Sequence, residues 1–270
     1  MSRAQPGAEG HDAGAAPIRT SRLDHEAWQE SWDRQQQAYL PDREHRFAAM
    51  LDVVEATVEG TPAPAVLDLA GGTGSISLRV LRRIPRARAA LLDVDPVLLT
   101  IARASIGDRA AVVTADLRER DWAAALPHRA FDAVLTSTAL HWIAAGRLAE
   151  LYGEVREVLR PGGVFVNADH MPDDGLPGLT ARLGERERAH RESRYATGAA
   201  LSWKRWWALV AEDDVLGPLA AERAALFGSN HAAEFTPSAS WHLAALRSAG
   251  YGEVGLVWRG GRDAAVAAVR

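Results

Sequence analysis

The run Val66-Leu67-Asp68-Leu69-Ala70-Gly71-Gly72-Thr73-Gly74 places a carboxylate and a glycine-rich turn at the end of an apolar segment. Glycines at such a turn let a ligand approach the backbone where a side chain would collide, and a helix opening at Ser75 offers unpaired N–H groups. The chemistry implied is binding of a nucleotide-like ligand. Asp93, in Leu91-Leu92-Asp93-Val94-Asp95-Pro96, is placed to accept both hydroxyls of a ribose. Two histidines complete the set. His141 follows a fourth apolar run and His170 ends a fifth, so neighbouring parallel strands would aim both imidazoles at one crevice. Either could take a proton from an oxygen or nitrogen nucleophile, because histidine titrates near neutral pH. The competing reading packs His141 beside Trp142 and leaves the reaction to alignment alone.

The elements that must position these residues follow from periodicity. From Ala65 onward short apolar runs alternate with helical periods, the pattern of βαβ units around a parallel sheet. Strands are expected at 65–70, 89–94, 110–115, 131–137 and 163–169, with helices near 75–84, 96–106, 118–125 and 146–160. Pro161-Gly162-Gly163 is expected to stop the last of these helices. Two amphipathic helices precede the sheet, the first through Trp28, Trp32 and Tyr39, the second through Phe47, Met50, Leu51, Val54 and Val58. Two β-like segments close the chain, separated by Arg259-Gly260-Gly261-Arg262, a turn suited to antiparallel neighbours.

The fold class expected is α/β: a Rossmann-like, doubly wound, seven-stranded sheet with the last strand antiparallel, amino-terminal helices and a helical cap insertion. The divisions are a disordered tail (1–22), lid helices (23–60), a Rossmann-like core (61–170), a cap or substrate region (171–248) and the terminal strands (249–270). Within the cap, Trp203, Trp206 and Trp207 read as helix packing or as an apolar substrate wall, and His231 is similarly open.

Composition sets the outer limits. The chain has 270 residues, 47% of them apolar and 24% charged, which excludes fibrous and wholly disordered classes. With 31 basic and 35 acidic residues the formal charge is −4, so a general electrostatic grip on nucleic acid or anionic lipid is unsupported. No cysteine is present, which removes disulfides, thiolate metal sites and a thiol nucleophile. No run approaches the roughly 18 apolar residues of a membrane span, and Met1 to Pro17 lacks the apolar core of a secretory signal. A cytoplasmic enzyme acting without membrane or nucleic-acid partners is expected.

Glycine turns of this kind serve both NAD and S-adenosylmethionine. Two details favour the latter: the third glycine of G-x-G-x-x-G is absent, and Asp68 would sit well near an ammonium but poorly beside a pyrophosphate. Asp93 suits either nucleoside. With Asp116 in Thr114-Ala115-Asp116-Leu117, the strand Phe131-Asp132-Ala133-Val134-Leu135-Thr136-Ser137, the segment Thr138-Ala139-Leu140-His141-Trp142 and Arg160-Pro161-Gly162-Gly163, the region 65–170 resembles the class I S-adenosylmethionine-dependent methyltransferases. It looks most like their small-molecule branch, typified by trans-aconitate methyltransferase.

The resemblance implies S-adenosylmethionine as cofactor, methyl transfer to an oxygen, nitrogen or carbon of a small-molecule acceptor, and cofactor contacts at Asp68, Ala70, Gly71, Gly72, Gly74, Asp93, Val94, Leu117, Thr136 and Ser137. Asp116 would meet the adenine amino group or, alternatively, only cap a helix. Tyr39 and Arg46 lie in the helices that fold over the methionine end in similar enzymes, where a guanidinium could pair with its carboxylate; the alternative leaves both on the surface. The Asn/Asp-Pro-Pro-aromatic sequence of amino-methylating enzymes is absent after the fourth strand. So is the carboxylate that metal-dependent catechol-type enzymes place there, and a metal-independent enzyme is expected. The rivals are an NAD-dependent oxidoreductase on the same architecture and a non-catalytic protein that binds S-adenosylmethionine for regulation.

Overall fold

The computed structural model describes residues 23–228 and 234–270. The expected tail (1–22) and His231 lie outside the described residues. Seven strands, β1 (Ala65–Leu69), β2 (Arg88–Asp93), β3 (Ala110–Thr114), β4 (Phe131–Ser137), β5 (Leu159–His170), β6 (Glu253–Gly260) and β7 (Asp263–Val269), form one sheet in the order β3-β2-β1-β4-β5-β7-β6. β1 to β5 pair in parallel, and β7 runs antiparallel to both β5 and β6. The strand order reverses between β1 and β4, so their carboxyl ends splay apart into a crevice, where open α/β sheets hold ligands.

Every residue of β1 is buried because helices cover both faces, which is what a parallel sheet requires. On one face lie α2 (Arg43–Thr57), α3 (Ser75–Arg83) and α4 (Pro96–Ile106). The apolar stripe foreseen for α2 is the one that packs there: Phe47, Met50, Leu51, Val54 and Val58 meet Val66, Ala133, Leu135 and Val166. On the other face, α5 (Ala145–Val158) and α9 (Ala239–Ser248) pack through Leu148, Leu151, Val155 and Leu246 against Leu67, Val134 and Phe165. The helix α1 (His25–Tyr39) lies across α4, and α7 (Trp203–Glu212) joins it there. Trp28, Trp32, Trp203, Trp206 and Trp207 form one aromatic cluster, with Trp206 Nε1 donating to Ser31 Oγ at 2.8 Å. Of the two readings of the tryptophans, packing is the one observed. The remaining helices are α6 (Pro177–Ala196) and α8 (Gly217–Phe227).

Two expectations are corrected. The helix expected at 118–125 is reduced to a short 3-10 turn, Trp122–Ala125. Arg147 explains why: its guanidinium donates to the carbonyls of Leu117, Arg118 and Glu119 at 2.9 to 3.2 Å, taking acceptors that a helix would use internally. Pro161-Gly162-Gly163 does not end α5, which stops at Val158; Leu159 is already extended and pairs with Phe131. The three residues instead form an irregularity inside β5, after which pairing resumes at Ala133 and Val164. A Cβ at Gly163 would stand 2.9 Å from the Phe131 carbonyl oxygen, so the bend is restricted to glycine. The turn after Gly260 does join antiparallel neighbours, with Gly261 at φ +56°.

Candidate functional site

The glycine turn between β1 and α3 is the sharpest backbone feature of the crevice. Ala70, Gly72 and Gly74 have φ of +55°, +56° and +84°, and Thr138, just past β4 on the facing side, has +51°. Left-handed alanine and threonine at the ends of the two strands that flank a switch point are strained positions of the kind found at ligand sites. Gly71 is needed for a different reason. A Cβ there would come within 2.7 Å of Asp68 Cγ and 2.8 Å of Leu91 Cγ, whereas one at Gly72 would meet only Leu98, at 3.6 Å. The backbone at Gly72 is therefore approachable.

Asp68 and Asp93 clamp the turn from either side. Asp68 Oδ2 accepts from the backbone N–H and the hydroxyl of Ser77, at 2.9 and 2.8 Å, and its Oδ1 is buried without a partner. Burial raises its pKa to about 6, against the opposing bonds from Ser77. Asp93 Oδ2 accepts from Gly72 N–H at 2.8 Å, and Oδ1 accepts from Val94 and Asp95 N–H at 2.7 and 2.9 Å. Burial again lifts its pKa, opposed by these amides. Next along the sheet, Asp116 is gripped by Arg118, through Nε to both oxygens and Nη2 at 2.6 Å. Burial would raise its pKa, but Arg118 outweighs that and holds it low. On the β4 side Thr136 Oγ1 and Ser137 Oγ are buried without partners.

The amino-terminal helices close on the turn through residues that sequence reasoning missed. Ser75 Oγ donates to Asp33 at 2.6 Å and accepts from Gln29 Nε2 at 3.1 Å; Asp33 also accepts from Arg43 Nη1 at 2.8 Å. Arg43 is buried, and its charge reaches Asp68, where it opposes the upward shift. Arg46, one helical turn on, goes elsewhere. It is only 1% exposed, which removes the surface reading, and it pairs with Asp263 at the start of β7 while Nε and Nη1 stay buried without partners. The i, i+3 spacing of Arg43 and Arg46 on one face of α2 was the available signal for the first of them.

Both histidines reach the crevice, each on a carboxylate. His141 Nδ1 lies 2.8 Å from Asp169 Oδ1, and its backbone N–H donates to Oδ2. Burial disfavours the charged ring, yet the charge and hydrogen bond of Asp169 prevail and raise the His141 pKa. Asp169, itself buried, is held down at about 2 by the same pairing. His170 Nδ1 lies 2.7 Å from Asp263 Oδ1, so Asp263 joins His170 to Arg46. The two imidazoles are 5.5 Å apart, and Tyr39 stands edge-on to His170 at 5.8 Å. Asp169 and Asp263 could not be read from spacing, because the pairing of β5 with β4 brings Asp169 to His141 and the pairing of β5 with β7 sets Asp263 against His170.

The site therefore has two ends. One holds Asp68, the glycines, Asp93, Val94, Asp116 and Leu117; the other holds Tyr39, Arg46, His141 and His170, with Thr136 and Ser137 between the two facing strand ends. Residues 66–163 match the family model described as a methyltransferase domain. A release factor glutamine methyltransferase of Cereibacter sphaeroides is 33% identical over 130 residues, covering 46% of this chain and 45% of that protein. A trans-aconitate 2-methyltransferase of Streptomyces avermitilis is 30% identical over 136 residues, covering 50% and 49%. Human N-acetylserotonin methyltransferase, solved in complex with S-adenosylmethionine, superposes with a TM-score of 0.55 at 15% identity, over 93% of this chain and 59% of that one. The fold is the class I methyltransferase fold.

The chain spans about half the length of the curated relatives it matches. Those relatives carry names with different methyl acceptors, so the likeness to the trans-aconitate branch narrows to the shared domain. Among the described residues no group of three or more His, Asp or Glu is arranged to hold a metal ion, and no helix is long and apolar enough to cross a membrane. The donor set fits a nucleoside bearing an amino acid: Asp93 at the approachable Gly72 suits a ribose, the orphaned Asp68 oxygen suits an ammonium, and buried Arg43 beside the turn suits a carboxylate.

Proposed function

We propose that the protein is a metal-independent, S-adenosylmethionine-dependent methyltransferase acting on an O–H or N–H group of a small metabolite. The observation that carries this reading is the glycine turn clamped between Asp68 and Asp93, inside the segment that matches the methyltransferase domain. Bound there, S-adenosylmethionine supplies a methyl group on a cationic sulfur, which keeps the bonding electron pair when an acceptor lone pair takes the methyl.

The chain's own residues do the rest. Asp93 and the amides around it fix the nucleoside end, while Asp68 and Arg43 complement the charges of the amino-acid end. α1 excludes water through the bonds of Gln29 and Asp33 to Ser75. His141, oriented by Asp169 on Nδ1, uses Nε2 to take the acceptor's proton, and the anionic Asp169 stabilises the imidazolium that results. Tyr39 and His170 form the neighbouring wall.

Isothermal titration with S-adenosylhomocysteine is the first test, and a flat trace at high micromolar ligand counts decisively against the reading. Titration with NAD in parallel separates the oxidoreductase alternative. Release of S-adenosylhomocysteine across a panel of hydroxyl and amine acceptors then distinguishes turnover from a regulatory binding role.

A further inference from the structure

The helix α8 ends at Phe227, and two ion pairs fix where that ring lies. Arg223, one turn earlier on α8, donates through Nε to Asp95 Oδ2 at 2.6 Å. Asp95 is not free to follow a moving helix. It stands two residues past Asp93, is 3% exposed, and its other oxygen accepts from Val97 and Leu98 at the start of α4. The Arg223 guanidinium also lies over two aromatic rings, 3.8 Å from Trp207 and 4.9 Å from Phe227. The second pair stands at the end of the next strand, where Arg118, bound to Asp116, lies 5.8 Å from the same Phe227 ring. Phe227 is thus bracketed by groups rooted just past β2 and just past β3. The apolar residues that follow Asp93 and Asp116 at those strand ends are Val94 and Leu117.

We infer that α8 delivers Phe227 as an aromatic wall over the purine subsite, closing from the cap side the slot whose floor is Val94 and Leu117. The inference rests on the nucleoside reading of the crevice and adds to it a residue from outside the matched segment 66–163. A purine in this slot presents one face to the aliphatic floor and the other to Phe227, a contact that tolerates any flat base and gains from exclusion of water. The Arg223–Asp95 pair makes the wall rigid, and because Trp207 belongs to the tryptophan cluster shared with α1, the wall and the lid are held through a common core.

The test is titration of S-adenosylhomocysteine and of 5′-methylthioadenosine, which keeps purine and ribose and lacks the amino acid, into the full chain and its Phe227→Ala, Phe227→Leu and Phe227→Trp variants. Phe227→Ala should weaken both ligands by about tenfold or more, by the same factor for each. Phe227→Trp should bind as the unaltered protein does, and Phe227→Leu, which keeps apolar volume without a π-face, should fall between; circular dichroism melts confirm that each variant is folded. Equal affinity of Phe227→Ala and the unaltered protein overturns the wall, as does a loss seen with S-adenosylhomocysteine alone. Absence of binding by the unaltered protein is a different result, and it removes the nucleoside reading itself.

Discussion

Both oxygens of Asp93 are committed to backbone N–H groups of Gly72, Val94 and Asp95, so this carboxylate shapes the turn and also offers its remaining lone pairs to a ligand. Asp93→Ala is expected to weaken S-adenosylhomocysteine binding by roughly 1.5–3 kcal/mol, about ten- to a hundredfold. Calorimetry reads this directly, and unchanged affinity would remove the ribose assignment. At the other end of the crevice the sign of a pH effect is set by Asp169, which keeps His141 above the ordinary histidine value. The base form of His141 then grows as pH rises through a midpoint above about 6.5, and turnover limited by that base rises with it. Asp169→Asn should move the midpoint down and lower kcat, and His141→Gln should lower kcat by roughly a hundredfold or more. A pH profile that does not move in Asp169→Asn would show that another group titrates.

At the scale of elements, the positioning depends on a few places where the chain cannot follow its simplest pattern. The bend inside β5 is one, and it lies in the same strand that carries Asp169 and His170. Gly163→Ala would press a methyl group onto the carbonyl oxygens of Phe131, Arg160 and Asp132, at 2.9, 3.0 and 3.1 Å. These are backbone atoms in a paired sheet and have little room to yield, so a loss of about 1–3 kcal/mol is expected in urea or thermal unfolding. A neutral result would mean that the strand irregularity shifts freely. The same element shows the limit of reading boundaries from residue type. Proline and two glycines mark a break in regular structure, but whether that break ends a helix or bends a strand was decided by Leu159 pairing with Phe131. In the same way, the loop after β3 has a helical pattern in sequence, yet Arg147, thirty residues away in α5, captures its carbonyls.

For the whole molecule, stability against pH carries the mark of a buried network between the sheet and its outer helices. Tyr152 on α5 bonds both Asn167 on β5 and His242 Nδ1 on α9, the latter at 2.6 Å. Burial pushes His242 down to about 4. A histidine held neutral in the fold binds fewer protons than it does unfolded, so its contribution is complete above pH 6.5 and is lost as pH falls towards 4, by up to roughly 3 kcal/mol. Asp68, raised to about 6, acts in the opposite direction, its contribution being present at low pH and lost as pH rises through that value. The total curve mixes both, but a difference isolates one. The stability gap between the unaltered protein and His242→Gln should widen from pH 4 to 6.5 and then level off; a constant gap would show that His242 is not the group responsible.

The parts that local pattern determines were legible in the amino-acid sequence. Alternating apolar runs specify a parallel sheet, the glycines at 71, 72 and 74 specify a tight turn with an approachable backbone, and Asp68 and Asp93 stand beside it at fixed distances along the chain. The two amino-terminal helices and the final hairpin were legible too, because a 3.6-residue stripe and a two-glycine turn are short-range signals. What tertiary structure alone decided are the pairings between residues far apart in the chain. These are Asp169 beneath His141, Asp263 between His170 and Arg46, Arg43 rather than Arg46 against the glycine turn, and Arg223 locking α8 to Asp95. Each joins a charged side chain to a partner on another element, and charge has no period in sequence; only the strand order and helix packing determine which opposite charge it meets.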